Sequence, residues 1–206
     1  MQTSLPLDLE KRAPQKIALN DAAVFYYPHF IDAAESKLCF NRLRDETSWR
    51  QDSLNFGGKT VLIPRLQAWY GDKDAAYAYS GLALSPNPWT PILLELKTLV
   101  EKAADTHFNS VLLNYYRDGK DSVAWHSDDE KELGVNPVIA SLSLGITRRF
   151  ELRHRKRDVP KSVFELENGS LLLMGPGIQE NWHHQVPKQH GLIGERINLT
   201  FRKIYS

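Results

Sequence analysis

The 206-residue chain is 42% hydrophobic and 25% charged with a net charge of +1, which suits one well-cored globular domain and excludes a global electrostatic pull on nucleic acid. Its lone cysteine, Cys39, excludes an intramolecular disulfide framework and suits a reducing compartment. Residues 1–20 hold no signal-like apolar stretch and no stretch of the chain is long and apolar enough for a membrane span; the expectation is a soluble cytoplasmic protein, nuclear in a eukaryote, with no membrane partner.

Residues 1–22 mix Pro6, Pro14, charges and small residues without a period, so an extended or partly disordered lead-in is expected ahead of a single domain over 23–206. Asp32 followed by Glu35 marks a helix start, and Leu38, Cys39, Phe40 and Leu43 supply an apolar face through about residue 46. A second helix is clearer: Thr90 can cap, Pro91 suits the first helical position, and Ile92, Leu93, Leu96, Leu99, Val100 and Ala103 recur at three and four. Beyond residue 110 the chain reads as strands: Val111 to Tyr116, Val138 to Leu144, Arg149 to His154, Val163 to Glu167, Ser170 to Met174 and Arg196 to Ile204. Asn168-Gly169 between two of them predicts a type I′ hairpin. With no βαβ alternation, the fold class is mainly β, a sandwich or jelly roll buttressed by about two α-helices.

The last strand carries the first functional signal. Side chains alternate along a strand, so Arg196, Asn198, Thr200 and Arg202 share one face and Ile197, Leu199 and Phe201 the other. Two arginines in one row point to a carboxylate or phosphate ligand. Upstream, His126 and Asp128 at i and i+2 can share a cation, with His184 as a third ligand and His183 as its competitor. Two histidines and one carboxylate suit non-haem Fe(II), although three such ligands can also hold catalytic zinc. A dicarboxylate that chelates the metal at one end and meets a guanidinium at the other would use both features, with Asn114 and Tyr116 adding hydrogen bonds. From Arg148 to Lys161 the chain also carries Arg148, Arg149, Arg153, Arg155, Lys156, Arg157 and Lys161 against only Glu151 and Asp158, a local basic run of the kind that phosphate binding needs.

At this point the chain resembles the AlkB family of Fe(II) and 2-oxoglutarate-dependent dioxygenases, and within it the animal DNA-repair homologues. The matching stretches are Pro64 to Asp72, Tyr77 to Gly81, Asn114 to Gly119, His126 to Glu130, Asn181 to His184 and Arg196 to Arg202, in the family's order with closely matching spacing. The resemblance implies a double-stranded β-helix, or jelly roll, over 111–206 with a nucleotide-recognition region over 53–81. It implies iron ligands His126, Asp128 and His184, favoured over His183 by its spacing to Arg196. It further implies 2-oxoglutarate held by Arg196, Arg202, Asn114 and Tyr116, with O2 as co-substrate.

Family members read a methylated base with an aromatic group and a carboxylate near the iron, and Tyr77, Tyr79, Asp129, Glu130 and Arg65 stand at or beside those positions. Phe56, in Asn55-Phe-Gly-Gly-Lys59, resembles a base-probing finger, and Arg155, Lys156 and Arg157 would contact the phosphates. The implied activity is oxidative demethylation of N1-methyladenine and N3-methylcytosine in DNA, releasing formaldehyde and succinate, by a monomer whose partner is methylated DNA or RNA. The alternatives are an RNA or protein demethylase or hydroxylase of the same family, and a non-enzymatic nucleic-acid-binding sandwich. A zinc hydrolase would have no use for two clamp arginines.

Overall fold

In the computed structural model, residues 13–75, 77–79 and 82–205 are described. Most of the domain is two antiparallel sheets. The larger takes the order β1 (Gln15–Leu19), β2 (Ala22–Tyr27), β13 (Ser170–Met174), β10 (Ile139–Gly145), β15 (Arg196–Arg202), β8 (Ser110–Tyr116), β5 (Leu66–Gly71). The smaller takes the order β12 (Ser162–Leu166), β11 (Arg148–His154), β14 (Trp182–Val186), β9 (Val123–His126). Two short hairpins stand apart, β3 (Ser53–Phe56) with β4 (Lys59–Leu62) and β6 (Tyr77–Tyr79) with β7 (Leu82–Leu84). The helices are α1 (Ala33–Glu46), α2 (Pro91–Ala104) and the single turn α3 (Ile178–Asn181). Among the described residues no helix is long and apolar enough to cross a membrane.

The two long helices start where capping chemistry allows. The Asp32 side chain accepts the Glu35 N–H at 2.9 Å, and Thr90 Oγ1 accepts the Leu93 N–H at 3.4 Å just ahead of Pro91. Their apolar faces, Cys39 and Leu43 from α1 and Leu93, Leu96 and Val100 from α2, cover one face of the larger sheet, meeting Leu113, Leu142, Leu144, Ile197, Leu199 and Phe201. Each such leucine contributes about 1.5–3 kcal/mol by leaving water. A second apolar cluster, with Tyr116, Ile139, Phe150, Leu152, Leu172, Met174 and Trp182, fills the space between the sheets. The jelly roll with buttressing helices therefore has one dry layer under the helices and one, interrupted by polar groups, between the sheets.

Three expectations are corrected here. Gln15–Leu19, in the segment read as a loose lead-in, pairs with β2 from Gln15↔Tyr26 to Leu19↔Ala22, while residues 1–12 lie outside the described residues. The strands β9 and β14 carry no clear alternation and were not expected; each forms because β11 and its neighbours supply a partner edge. Asn168-Gly169 does not close a hairpin: β12 pairs with β11, and β13 pairs with β10 and β2. Only Gly169 of the two has positive φ (+73°), so the type I′ condition is not met, and the turn carries the chain from one sheet to the other. Asn168 Oδ1 accepts the Gly145 N–H at 2.9 Å and the Gly169 N–H donates to the Ser143 carbonyl at 2.8 Å, fixing the corner. A Cβ on Gly169 would collide with the Ile31 carbonyl oxygen and the Ser36 hydroxyl. Gly169→Ala is therefore expected to cost about 2 kcal/mol or more, left-handed backbone and clash together, in a denaturant titration; wild-type stability would remove the corner from the fold's requirements.

Candidate active site

The face of β15 turned away from the helices looks into the space between the sheets. Its partners line up by register: Asn198 lies opposite Asn114 on β8 and Ser143 on β10, and Arg196 opposite Tyr116 and Gly145. Arg196 is 1% exposed. Its Nη2 donates to Ser143 Oγ at 2.8 Å, whereas Nε and Nη1 are buried with no hydrogen-bond partner. Its guanidinium lies 5.1 Å from the centroid of the Tyr116 ring, which carries Arg148 on it at 5.3 Å. Burial pulls the Arg196 pKa down to about 10, with Arg148 adding repulsion and Tyr116 opposing both. A buried guanidinium with free donors demands an anion of fork-like geometry, and a carboxylate has it.

Across the interior, His126 and His184 are cross-strand partners on β9 and β14, with ring centroids 4.2 Å apart. Asp128 follows β9 and is 3% exposed. One ligand atom from each of His126, Asp128 and His184 falls within 4.8 Å of the others. His126 Nδ1 lies 2.8 Å from the Ala124 carbonyl, so that nitrogen holds the proton and Nε2 is left for a cation. His184 Nε2 lies 3.7 Å from Asp128 Oδ2, and Phe150 stacks on its ring at 5.4 Å. Burial pushes the His184 imidazole down to about 3, so it stays neutral, as a ligand must. Burial alone would raise the Asp128 carboxyl, but Arg202, His184 and His126 together outweigh it and hold it below the ordinary carboxylate range. His183, on the other parity of β14, is outside the trio.

The other expected residues sort themselves by contact. Arg202 Nη2 donates to Asp128 Oδ1 at 2.6 Å, which ties this arginine to the carboxylate of the trio, while its Nε is buried with no hydrogen-bond partner. Arg65 Nε and Gln67 Nε2 donate to Asn114 Oδ1 at 2.7 and 2.8 Å, joining a residue expected at the base to one expected at 2-oxoglutarate. Asp129 is exposed and paired with Arg155 at 3.1 Å; Glu130 is exposed, its carbonyl accepting the Leu133 N–H at 2.9 Å. Arg157 is paired with Asp21 at 2.7 Å, and Lys156 is exposed. Tyr77 and Tyr79 lie in β6 and Phe56 in β3, but their side chains lie outside the described residues, as do Ala76, Ser80 and Gly81 of the recognition region.

Arg148 is a correction. Counted with the surface basic run, it is fully buried, donating to Gln189 Oε1 at 3.0 Å and to the carbonyls of Asp118, Asp121 and Pro187 at 3.1, 2.8 and 2.9 Å. The parity of β11 places it with Phe150 and Leu152, a signal already present in the sequence. Ser143 and Gln179, whose Oε1 accepts the Asp128 N–H at 2.9 Å, were missed. Ser143 alternates with Leu142 and Leu144 and was open to the same parity reading; Gln179 sits on a one-turn helix with no such signal.

The 2OG-Fe(II) oxygenase superfamily model matches residues 23–202, almost the whole of the described fold. Alpha-ketoglutarate-dependent dioxygenase alkB homolog 3 of Rattus norvegicus is 40% identical over 212 residues, covering 97% of this chain and 71% of the relative. The chain belongs to the AlkB family of 2OG-Fe(II) oxygenases. DNA oxidative demethylase ALKBH2 of Mus musculus is 38% identical over 188 residues, 86% of this chain and 79% of the relative. A solved structure of OsALKBH1 shares the fold, with a TM-score of 0.64 at 16% identity over 92% of this chain and 100% of that one. This AlkB-family chain is thus a dioxygenase that works with Fe(II), 2-oxoglutarate and O2. Its residues fit those groups: two imidazoles and a carboxylate suit Fe(II) with open positions, and the free donors of Arg196 suit the far carboxylate of a dicarboxylic acid.

Proposed function

We propose that this enzyme demethylates alkylated bases in DNA, N1-methyladenine and N3-methylcytosine, releasing formaldehyde and succinate. The observation that carries the reading is the Arg155–Asp129 ion pair, which ties the basic loop after β11 to the residue beside Asp128. A nucleic-acid backbone lying on that loop brings a flipped base to the trio. The name of the ALKBH2 relative, a DNA oxidative demethylase, supports the same substrate class. The β3–β4 hairpin adds to it by leaving Leu54, Val61 and Leu62 more than half exposed, with Leu54 opposite Val61 across the hairpin. Exposed apolar groups at a hairpin suit insertion beside bases.

His126, Asp128 and His184 would hold the iron, Arg196 the far carboxylate of 2-oxoglutarate, and Tyr116 and Ser143 the guanidinium itself. Bound Fe(II) supplies O2 activation, one oxygen atom ending in succinate as CO2 leaves 2-oxoglutarate and the other on the methyl carbon that departs as formaldehyde. The protein supplies placement: a neutral imidazole at His184, a carboxylate held ionised by Arg202, and a dry interior lined by Phe150 and Leu152. Both lesions are cationic and cannot pair normally, so flipping is cheap, and Asp129 and Glu130 offer negative charge nearby.

The test is the mass of a short DNA carrying N1-methyladenine, incubated with the Fe(II)-loaded protein, O2 and 2-oxoglutarate. Loss of one methyl that requires both iron and 2-oxoglutarate is expected; succinate formed with the oligonucleotide unchanged would reject this substrate and turn to matched RNA and peptides. Arg202→Met is expected to weaken metal binding about 10–100-fold, since it removes the hydrogen bond that orients the Asp128 carboxylate. The sign with pH follows: losing Arg202 raises the depressed Asp128 pKa, so metal loss on acidification begins at a higher pH than in wild type. Mn(II) titrations across pH check this, and superimposable curves would show Arg202 irrelevant to the metal. For Phe56→Ala, repair of duplex should fall several-fold more than repair of single strands; equal losses would leave Phe56 a packing residue.

A further inference from the structure

The basic loop contains an internal tie that the chemistry above does not use. His154 ends β11 and is 6% exposed. Its Nδ1 accepts the backbone N–H of Lys156 at 3.0 Å and that of Arg157 at 2.9 Å. An imidazole nitrogen accepts only while it carries no proton, so both bonds need Nδ1 bare. Nε2 is buried without a hydrogen-bond partner, and the ring stands at 69° to Trp182 of β14, centroids 4.9 Å apart. Two of the flanking basic side chains are ion-paired, Arg157 with Asp21 of the β1–β2 turn and Arg155 with Asp129. Without the Nδ1 acceptor both amides would be released.

We propose that His154 is the positioning residue of a phosphate-contacting turn: its unprotonated Nδ1 gathers the Lys156 and Arg157 amides and thereby aims those basic side chains at a nucleic-acid backbone. This rests on the reading of Arg155, Lys156 and Arg157 as the nucleic-acid contact. The turn is built on that one acceptor and comes apart when the acceptor is lost. The grip on nucleic acid is then lost separately from the 2-oxoglutarate pocket, which lies on the larger sheet around Arg196.

The experiment uses the full chain loaded with Mn(II) and a short fluorescently labelled single-stranded oligodeoxynucleotide, read by anisotropy. His154→Asn keeps an acceptor, Oδ1, near the place of Nδ1; His154→Leu keeps bulk without an acceptor. Wild type and H154N should bind alike and H154L about five- to tenfold more weakly, the worth of two lost hydrogen bonds. H154L binding like wild type, or H154N binding as weakly as H154L, overturns the role of His154. The double variant R155A/K156A separates the two levels: normal binding there rejects the loop as the contact, whereas weak binding there with H154L like wild type rejects His154 alone.

Discussion

Asp128→Ala is expected to lower 2-oxoglutarate consumption at least about a thousandfold, to that of metal-free protein. Asp128 is the only anion among the three residues whose ligand atoms converge. The variant also strands Arg202, whose Nη2 has Asp128 as its partner at 2.6 Å. Breaking a buried ion pair from one side costs about 3–5 kcal/mol, so circular dichroism must accompany the assay to show that the chain is folded. Asp128→Asn separates charge from shape. It keeps the volume and an oxygen but not the negative charge, and it should bind Mn(II) more weakly than wild type while melting closer to it than the alanine variant. Succinate formation by folded Asp128→Ala at near the wild-type rate would overturn the assignment of the metal to this trio.

The sequence revealed the polar face of the last strand but not the reason it could be polar. Parity along Arg196 to Arg202 separates two arginines from Ile197, Leu199 and Phe201, and the structure places the apolar row under the helices and the polar row between the sheets. The same parity, carried onto β11, would have removed Arg148 from the surface run; counting charges along the chain hid that its neighbours alternate in and out. The short strands β9 and β14 were illegible for a different reason. Val123-Ala-Trp-His and Trp182-His-His-Gln-Val show no local preference strong enough to declare a strand; β14 pairs because β11 presents an edge, and β9 because β14 in turn presents one. Yet these two strands set His126 opposite His184. The residue types of the trio were visible; the cross-strand register that brings them together is a tertiary fact. Asn168-Gly169 shows the converse, a strong local turn signal whose flanking strands were taken by other partners.

Arg196→Met carries the second large effect, and its sign differs with and without 2-oxoglutarate. In the protein alone, the guanidinium is buried, bonded by one nitrogen to Ser143, and its pKa is pulled down to about 10 by burial. A cation whose folded pKa is depressed destabilises the fold at every pH below that value, and the cost fades as pH rises toward the unfolded value. The loss of a Tyr116 contact and one hydrogen bond works the other way. Methionine is therefore expected to leave the free protein as stable as wild type or more stable, by on the order of 1–3 kcal/mol. With 2-oxoglutarate the order reverses. A carboxylate reaching Arg196 satisfies the free Nε and Nη1, and removing that pair should weaken apparent affinity about 10²–10³-fold. Melting temperature against 2-oxoglutarate concentration reads both halves at once: wild type should climb with ligand while Arg196→Met starts level or higher and stays flat. A methionine variant that climbs as wild type does would mean that the far carboxylate is held elsewhere. One that melts far below wild type without ligand would mean that Arg196 is a structural cation, paired well enough by Tyr116 and Ser143 to need no anion at all.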